Sequence, residues 1–216
     1  MCGRFVNLTK INSIKKKFNI ISDINNDFIS YNVAPSQNFF IIYKDKEIKI
    51  DNACWGYSFF DKKQNYKKNI FNSRIETIRE KILFKDSFFK RKCILSTNGY
   101  FEWSIIDGKK IPFFIHIPPN EQFYLAGVWK YADYKENKKK VFTIITKNSN
   151  SNIQNIHSRM PVILSFEESI EYLNNDNSYD LKYNTVSVIE NELDFYPVSN
   201  FVNNPLNNTK NCIKQF

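Results

Sequence analysis

Asp107-Gly108 stands between two runs of strand-forming residues, Gly99–Ile105 and Pro112–Ile117. An Asp-Gly pair accepts the positive φ angles of a tight two-residue turn, so this stretch predicts a β-hairpin. The runs Lys92–Leu95, Phe123–Trp129 and Val141–Thr146 read as further strands, the last two joined by a lysine-rich hairpin loop. Phe39–Tyr43, Glu47–Ile50 and Ala53–Tyr57 add three more upstream. The expected fold class is α+β: an antiparallel sheet that curls into a barrel, flanked by short helices.

Helical signals are few. Ile11, Ile14 and Phe18 recur at helical spacing behind a possible Thr9 cap, and Ile75, Ile78 and Ile82 do so within Arg74–Phe84. Ser151–His157 reads as a short helix before Pro161-Val162-Ile163-Leu164, and Ser165 with Glu168 forms a capping box that opens a helix to Leu173. Tyr31-Asn32-Val33-Ala34-Pro35-Ser36 is an extended segment stiffened by proline. Ser22–Asp27 and Asn174–Asp180 read as polar loops, and the tail holds one or two short strands. With 216 residues, 42% hydrophobic, no repeat and no long linker, a single domain spanning 1–216 is expected.

Composition narrows the functional classes. Four scattered cysteines without a C-x-x-C pair or a histidine at ligand spacing argue against a zinc or iron–sulfur site, and no cofactor is expected. They also suit a reducing compartment. No apolar run approaches the roughly 20 residues a membrane span requires, so a soluble intracellular protein, most simply a monomer, is expected. The formal charge of +9 fits a polyanionic partner such as nucleic acid. A lysine- and asparagine-rich composition produces the same excess without any partner, and Lys15-Lys16-Lys17 and Lys138-Lys139-Lys140 suit solvated faces equally well.

Cys2 follows the initiator position directly. Removal of Met1 would give it a free α-amine of pKa about 8 beside a thiol of about 8.5. Such a 1,2-aminothiol condenses with an aldehyde to an imine and closes to a thiazolidine, or its thiolate attacks a carbonyl carbon. Glu102, in Gly99-Tyr100-Phe101-Glu102-Trp103, shares a strand face with Tyr100; a carboxyl held among aromatics is suited to acid–base work, whereas one on a solvated face is not. His157 lies at an element boundary and can shuttle protons or serve as a structural hydrogen bonder, whereas His116 reads as structural. Asn72-Ser73-Arg74 at the start of the helix expected there reads as a cap, a phosphate site, or both.

Seven segments occur in order: Met1-Cys2-Gly3-Arg4-Phe5, Tyr31-Asn32-Val33-Ala34-Pro35-Ser36, Cys54-Trp55-Gly56, Asn72-Ser73-Arg74-Ile75-Glu76-Thr77, Gly99-Tyr100-Phe101-Glu102-Trp103, Leu125-Ala126-Gly127-Val128-Trp129 and His157-Ser158-Arg159-Met160-Pro161. The series resembles the SRAP family, the SOS-response-associated peptidases or abasic-site-processing proteins, over essentially the whole chain. The resemblance implies a protein that cross-links to abasic sites in single-stranded DNA through a thiazolidine at Cys2. It also implies autoproteolytic exposure of that cysteine and, without the thiol, abasic-site lyase behaviour. Asn72 would hold Cys2 and the sugar, Glu102 would move protons and His157 would assist at the opened sugar. Arg4, Asn32, Pro35, Arg74 and Arg159 would form the DNA-binding surface and pocket wall. Tyr57-Ser58-Phe59-Phe60-Asp61 replaces a proline- and tryptophan-bearing stretch common in the family, so Phe59 or Phe60 would supply the stacking face. Two other readings stand beside this one: a peptidase or amidohydrolase using Cys2, His157 and Glu102, and a noncatalytic nucleic-acid-binding module.

Overall fold

The structure, a computed structural model, describes residues 2–61, 65–134, 137–174 and 186–216, with backbone alone at 60, 61, 67, 133, 134 and 137. In chain order its elements are β1 (Arg4–Asn7), α1 (Ile11–Phe18), β2 (Ser30–Val33), β3 (Asn38–Lys44), β4 (Ile48–Trp55), β5 (Tyr57–Asp61) and β6 (Tyr66–Ile70). There follow β7 (Asn72–Arg74), α2 (Ile82–Lys90), β8 (Lys92–Thr97), β9 (Gly99–Ile106), β10 (Lys109–His116), β11 (Phe123–Tyr134) and β12 (Asn137–Asn148). The chain closes with β13 (Arg159–Pro161), β14 (Ile163–Leu164), α3 (Phe166–Asn174) and β15 (Asp194–Pro197), then 3-10 turns at Asn200–Asn203 and Lys210–Ile213. The α+β class and the barrel are as the strand pattern predicts.

Strands β12, β4, β3, β8 and β11 pair successively, and β11 returns to β12, so the sheet closes on itself. Closure leaves an interior filled by apolar side chains such as Phe40, Ile42, Leu95 and Phe142. The long strand β12 organises the rim. One of its edges carries β11 and then β13, while the other carries β4 and then, in parallel, β7, with Asn72 opposite Ile144 and Arg74 opposite Thr146. A second sheet, ordered β15-β10-β9-β1-β2, lies against the barrel. Its inner face contributes Phe5, Tyr100 and Ile115 to the main core, and Phe5 packs edge-on to Phe39 at 5.0 Å. Its outer face contributes Val6, Phe101 and Phe114 to a smaller core closed by Val202 and Cys212 of the C-terminal segment.

The Asp107-Gly108 turn forms as the sequence predicts, with φ of 51° and 73° at its two central residues. The capping box also forms: the Glu168 N–H donates to Ser165 Oγ (3.2 Å), and Glu168 Oε2 accepts from the Ser165 N–H (2.8 Å).

Several expected elements differ. The helix expected over Arg74–Phe84 is a strand followed by turns, and α2 begins only at Ile82, whose side chain faces solvent. Pairing of β7 with β12, continued by the Ile75 N–H donating to Thr146 O (2.9 Å), overrides the helical spacing of the isoleucines. Glu47–Ile50 and Ala53–Tyr57 are mostly one strand, β4, which ends at Trp55. Lys138–Lys140 stand on β12 instead of in a loop, and Lys140 is held by Asp51 at 2.5 Å under the Tyr43, Trp129 and Tyr131 rings. Ser151–Ile156 forms successive turns, not a helix. Thr9 does not cap α1; Asp27 Oδ1 accepts the Ile11 N–H instead (2.9 Å). The loop expected at Asn174–Asp180 falls, beyond Asn174, outside the described residues.

The C-terminal segment is tied to the N-terminal strand by two side chains. Arg4 Nη1 donates to Asn32 Oδ1 (3.0 Å) and Val202 O (3.2 Å), and Nη2 donates to Asn203 O (3.2 Å). Asn32 Nδ2 lies within donating distance of the carbonyls of Val202 (3.1 Å), Asn204 (3.0 Å) and Asn207 (2.9 Å). Asn32→Ala should therefore lower stability by about 3 kcal/mol, since buried carbonyls and the Arg4 fork lose their partner. Urea unfolding of the variant checks this; a loss below about 0.5 kcal/mol would show that the clamp carries little of the fold.

Candidate active site

Antiparallel pairing of β1 with β9 sets Arg4 opposite Phe101 and Phe5 opposite Tyr100. The chain just before β1 therefore runs alongside Glu102, and Cys2 is sealed into the main core with no solvent exposure. A second element fixes it from the barrel rim: Asn72 Nδ2, on β7, donates to the Cys2 backbone carbonyl at 3.0 Å. Asn72 Oδ1 is buried and has no hydrogen-bond partner among the described residues, as does the Tyr100 hydroxyl. The strand alternation expected at Glu102 holds. Tyr100 lies on the barrel side of β9, whereas Phe101 and Trp103 join the outer core.

Burial dominates the electrostatics. It lifts the Glu102 carboxyl, only 2% exposed, from the ordinary 4.5 to about 7. Burial first, and the neighbouring Glu102 charge second, push the Cys2 thiol well above its usual range. Tyr100 moves the same way for the same reasons, with the charges of Cys2 and Glu102 both acting on it. At neutral pH the centre thus combines a neutral thiol with a carboxyl poised between its acid and base forms, the condition for proton transfer in both directions.

His157 is half-buried. Its Nδ1 accepts the Arg159 N–H at 2.9 Å and also lies 3.1 Å from Arg159 O. Burial lowers the ring's pKa, favouring its neutral form.

The remaining expected site residues fall into two groups. Arg74 is exposed on β7, two residues from Asn72, but on a strand and not at a helix N-terminus, so no helix dipole assists it there. Phe59 is half-buried on β5, opposite Lys68 in the two-stranded β5–β6 ribbon that leads into β7. Phe60 is on the same strand, and its side chain lies outside the described residues. Arg4 and Asn32, expected at DNA and at the pocket wall, are committed to the C-terminal clamp. Pro35 sits in the turn before β3, whose Ser36 N–H donates to Trp55 O (2.9 Å). Arg159, also expected at DNA, is buried: its guanidinium meets both Glu76 oxygens (2.5 and 3.0 Å), Asn148 Oδ1 and Thr146 O. It braces β7 against β12 beside the His157 turn.

A cleft of about 590 Å³ opens beside this brace, lined by Glu76, Arg79, Asn150 and a buried Lys147–Glu190 ion pair. Neither Cys2 nor Glu102 lines it. Lys147 and Glu190 are not legible in the sequence, because the partners come from distant segments. Tyr100 was legible only as Glu102's neighbour on a strand face. No group of three or more metal-ligating side chains occurs among the described residues.

Residues 1–205 match the family model described as SOS response associated peptidase (SRAP). The chain is 34% identical over 226 residues to the abasic site processing protein YoqW of Bacillus subtilis, covering 99% of each. It is 34% identical over 223 residues to the abasic site processing protein YoaM of the same organism, covering 97% of this chain and 96% of that one. Among solved structures, a protein from Bacteroides thetaiotaomicron superposes with a TM-score of 0.82 at 24% identity over the full length of both chains, which shows the shared fold.

Replacing Glu102 tests the electrostatics directly. The folded chain retains its Glu102 proton up to about pH 7, whereas an unfolded glutamate releases it near 4.5. The folded state therefore binds more protons in that window, and this residue's contribution to stability falls as pH rises through it. Glu102→Gln should gain about 3 kcal/mol over the parent between pH 4 and pH 8. Urea unfolding at both pH values checks this; an equal difference at the two would mean that the carboxyl is not perturbed.

Proposed function

The chain belongs to the SRAP family, and on that premise we propose that it is an abasic-site sensor that captures single-stranded DNA covalently through Cys2. The observation that carries this reading is the joint burial of the Cys2 thiol and the Glu102 carboxyl against one strand face, with Asn72 holding the cysteine backbone. Its relatives' names as abasic site processing proteins point to the same substrate.

The reaction begins once Cys2 is exposed as the first residue, by autoproteolysis or an aminopeptidase. An abasic deoxyribose equilibrates between a ring and an open aldehyde. Glu102, neutral for part of the time at pH 7, donates a proton that assists ring opening, and His157 assists at the released sugar hydroxyl. The α-amine adds to the aldehyde carbon, and loss of water gives an imine. The thiol then adds across the C=N bond: sulfur joins the carbon and the thiol proton ends on nitrogen. Closure removes the imine that would promote β-elimination, so the strand remains whole. Without the sulfur, the same imine leads to strand cleavage, which is the lyase activity.

Each surrounding residue has a part in this reading. Asn72 fixes the cysteine and offers its unpartnered Oδ1 to the incoming sugar. Arg74 contacts the adjacent phosphate from the exposed edge of β7. Phe59 or Phe60, on the ribbon entering β7, supplies a stacking face for bases. Arg159 acts indirectly, by holding Glu76 and the turn that bears His157.

A peptidase acting in trans is the competing chemistry, and the buried thiol weighs against it. Thiolate attack on an amide requires a thiol pKa lowered towards neutrality, whereas burial here raises it. Imine formation by the amine requires no thiolate.

Cys2→Ala separates these possibilities. With an abasic single-stranded oligonucleotide, the variant should lose the stable adduct while its terminal amine still cleaves the strand, as read on a denaturing gel. A heat-stable adduct formed by the variant would exclude the thiazolidine, and unchanged behaviour would favour a noncatalytic binding module.

A further inference from the structure

Strand β1 covers β9 only as far as Phe101, so beyond that point β9 pairs, among the described residues, with β10 alone. The two strands project as a ribbon to the Asp107-Gly108 turn. The ribbon starts at the site itself, because Glu102 is its first residue past the β1 pairing. Alternation carries Ser104 and Ile106 along Glu102's face, with Lys109 directly opposite Ile106. The other face carries Trp103 and Ile105, with Lys110 opposite Ile105 and its ammonium 5.6 Å from the Trp103 ring. Ser104 Oγ reaches Asn155 O at 3.4 Å, which sets the ribbon beside the turns leading to His157. The Lys110 charge acts on both Glu102 and His157.

The tip is unusual in composition. Ile105 and Ile106 are 77% and 42% exposed, and Lys109 and Lys110 beside them are also exposed. Two apolar side chains in water between two cations suit a partner that is anionic and also offers apolar faces. A single DNA strand is both: phosphates for the lysines, and sugar and base surface for isoleucine.

We infer that the β9–β10 ribbon is a DNA-tracking arm, on which Lys109 and Lys110 hold two phosphates of the strand flanking the abasic sugar and Ile106 packs against its sugars or bases. Its placement relative to the sugar rests on the function proposed above, but its grip on an unmodified strand does not. The two can therefore fail separately.

The experiment titrates a fluorescent, unmodified single-stranded oligonucleotide at several salt concentrations with the parent protein and three variants. Lys109→Ala/Lys110→Ala should weaken binding about tenfold at low salt. It should also flatten the slope of log affinity against log salt by about 1.4, the value for two phosphates on a single strand. Ile106→Ser should weaken binding several-fold and leave the slope unchanged. Lys16→Ala/Lys46→Ala, which removes two exposed lysines from elsewhere on the surface, should flatten the slope by much less. An unchanged slope in the ribbon variant, or an equal fall in the remote one, would overturn the inference. All of these residues are exposed, so the variants should fold normally. Absence of any adduct between the parent and abasic DNA would count against the proposed function only.

Discussion

The pairing of three N-terminal residues, Arg4–Val6, with β9 is the constraint on which the rest depends. Val6 opposite Gly99 and Arg4 opposite Phe101 leave no freedom in where the preceding cysteine lies. Gly99 is needed at the start of this pairing: its φ is 157°, and a Cβ there would come within 2.5 Å of the Phe114 ring. The pairing is reinforced from both sides, by Phe5 against the barrel and by the Arg4–Asn32 clamp to the C-terminal segment. A terminus this short would otherwise fray. Here three separate parts of the chain hold it, as the proposed role of Cys2 requires.

Burial then acts on the chemistry. The same desolvation that keeps the Cys2 thiol neutral raises Glu102 towards neutrality, so one physical cause prepares both groups. A neutral thiol is a poor first nucleophile, which in the proposed reaction fits an order of amine first and sulfur second. That order separates an aldehyde-capturing centre from a cysteine peptidase built of similar residues.

What was legible in the sequence was local. The Asp107-Gly108 turn and the Ser165–Glu168 capping box are set by residues close together in the chain, and both formed as expected. The face alternation at Glu102 followed from the strand period alone. Features set by distant partners were not legible. Ile75, Ile78 and Ile82 keep helical spacing, yet the open edge of β12 draws Asn72–Arg74 into a strand. Nothing near Arg159 announces that Glu76 will occupy its guanidinium, or near Arg4 that the C-terminal carbonyls will. Arginine in a motif suggests DNA by its chemistry; only the fold shows which of its donors are already engaged.

Covalent capture through Cys2 is read most directly from the intact mass of the protein before and after incubation with a single-stranded oligonucleotide carrying one abasic site. Covalent capture requires a protein that has lost Met1 and then gains the mass of the oligonucleotide less one water, in a product that survives denaturation. A protein with Cys2 exposed as its first residue and no such product would contradict it.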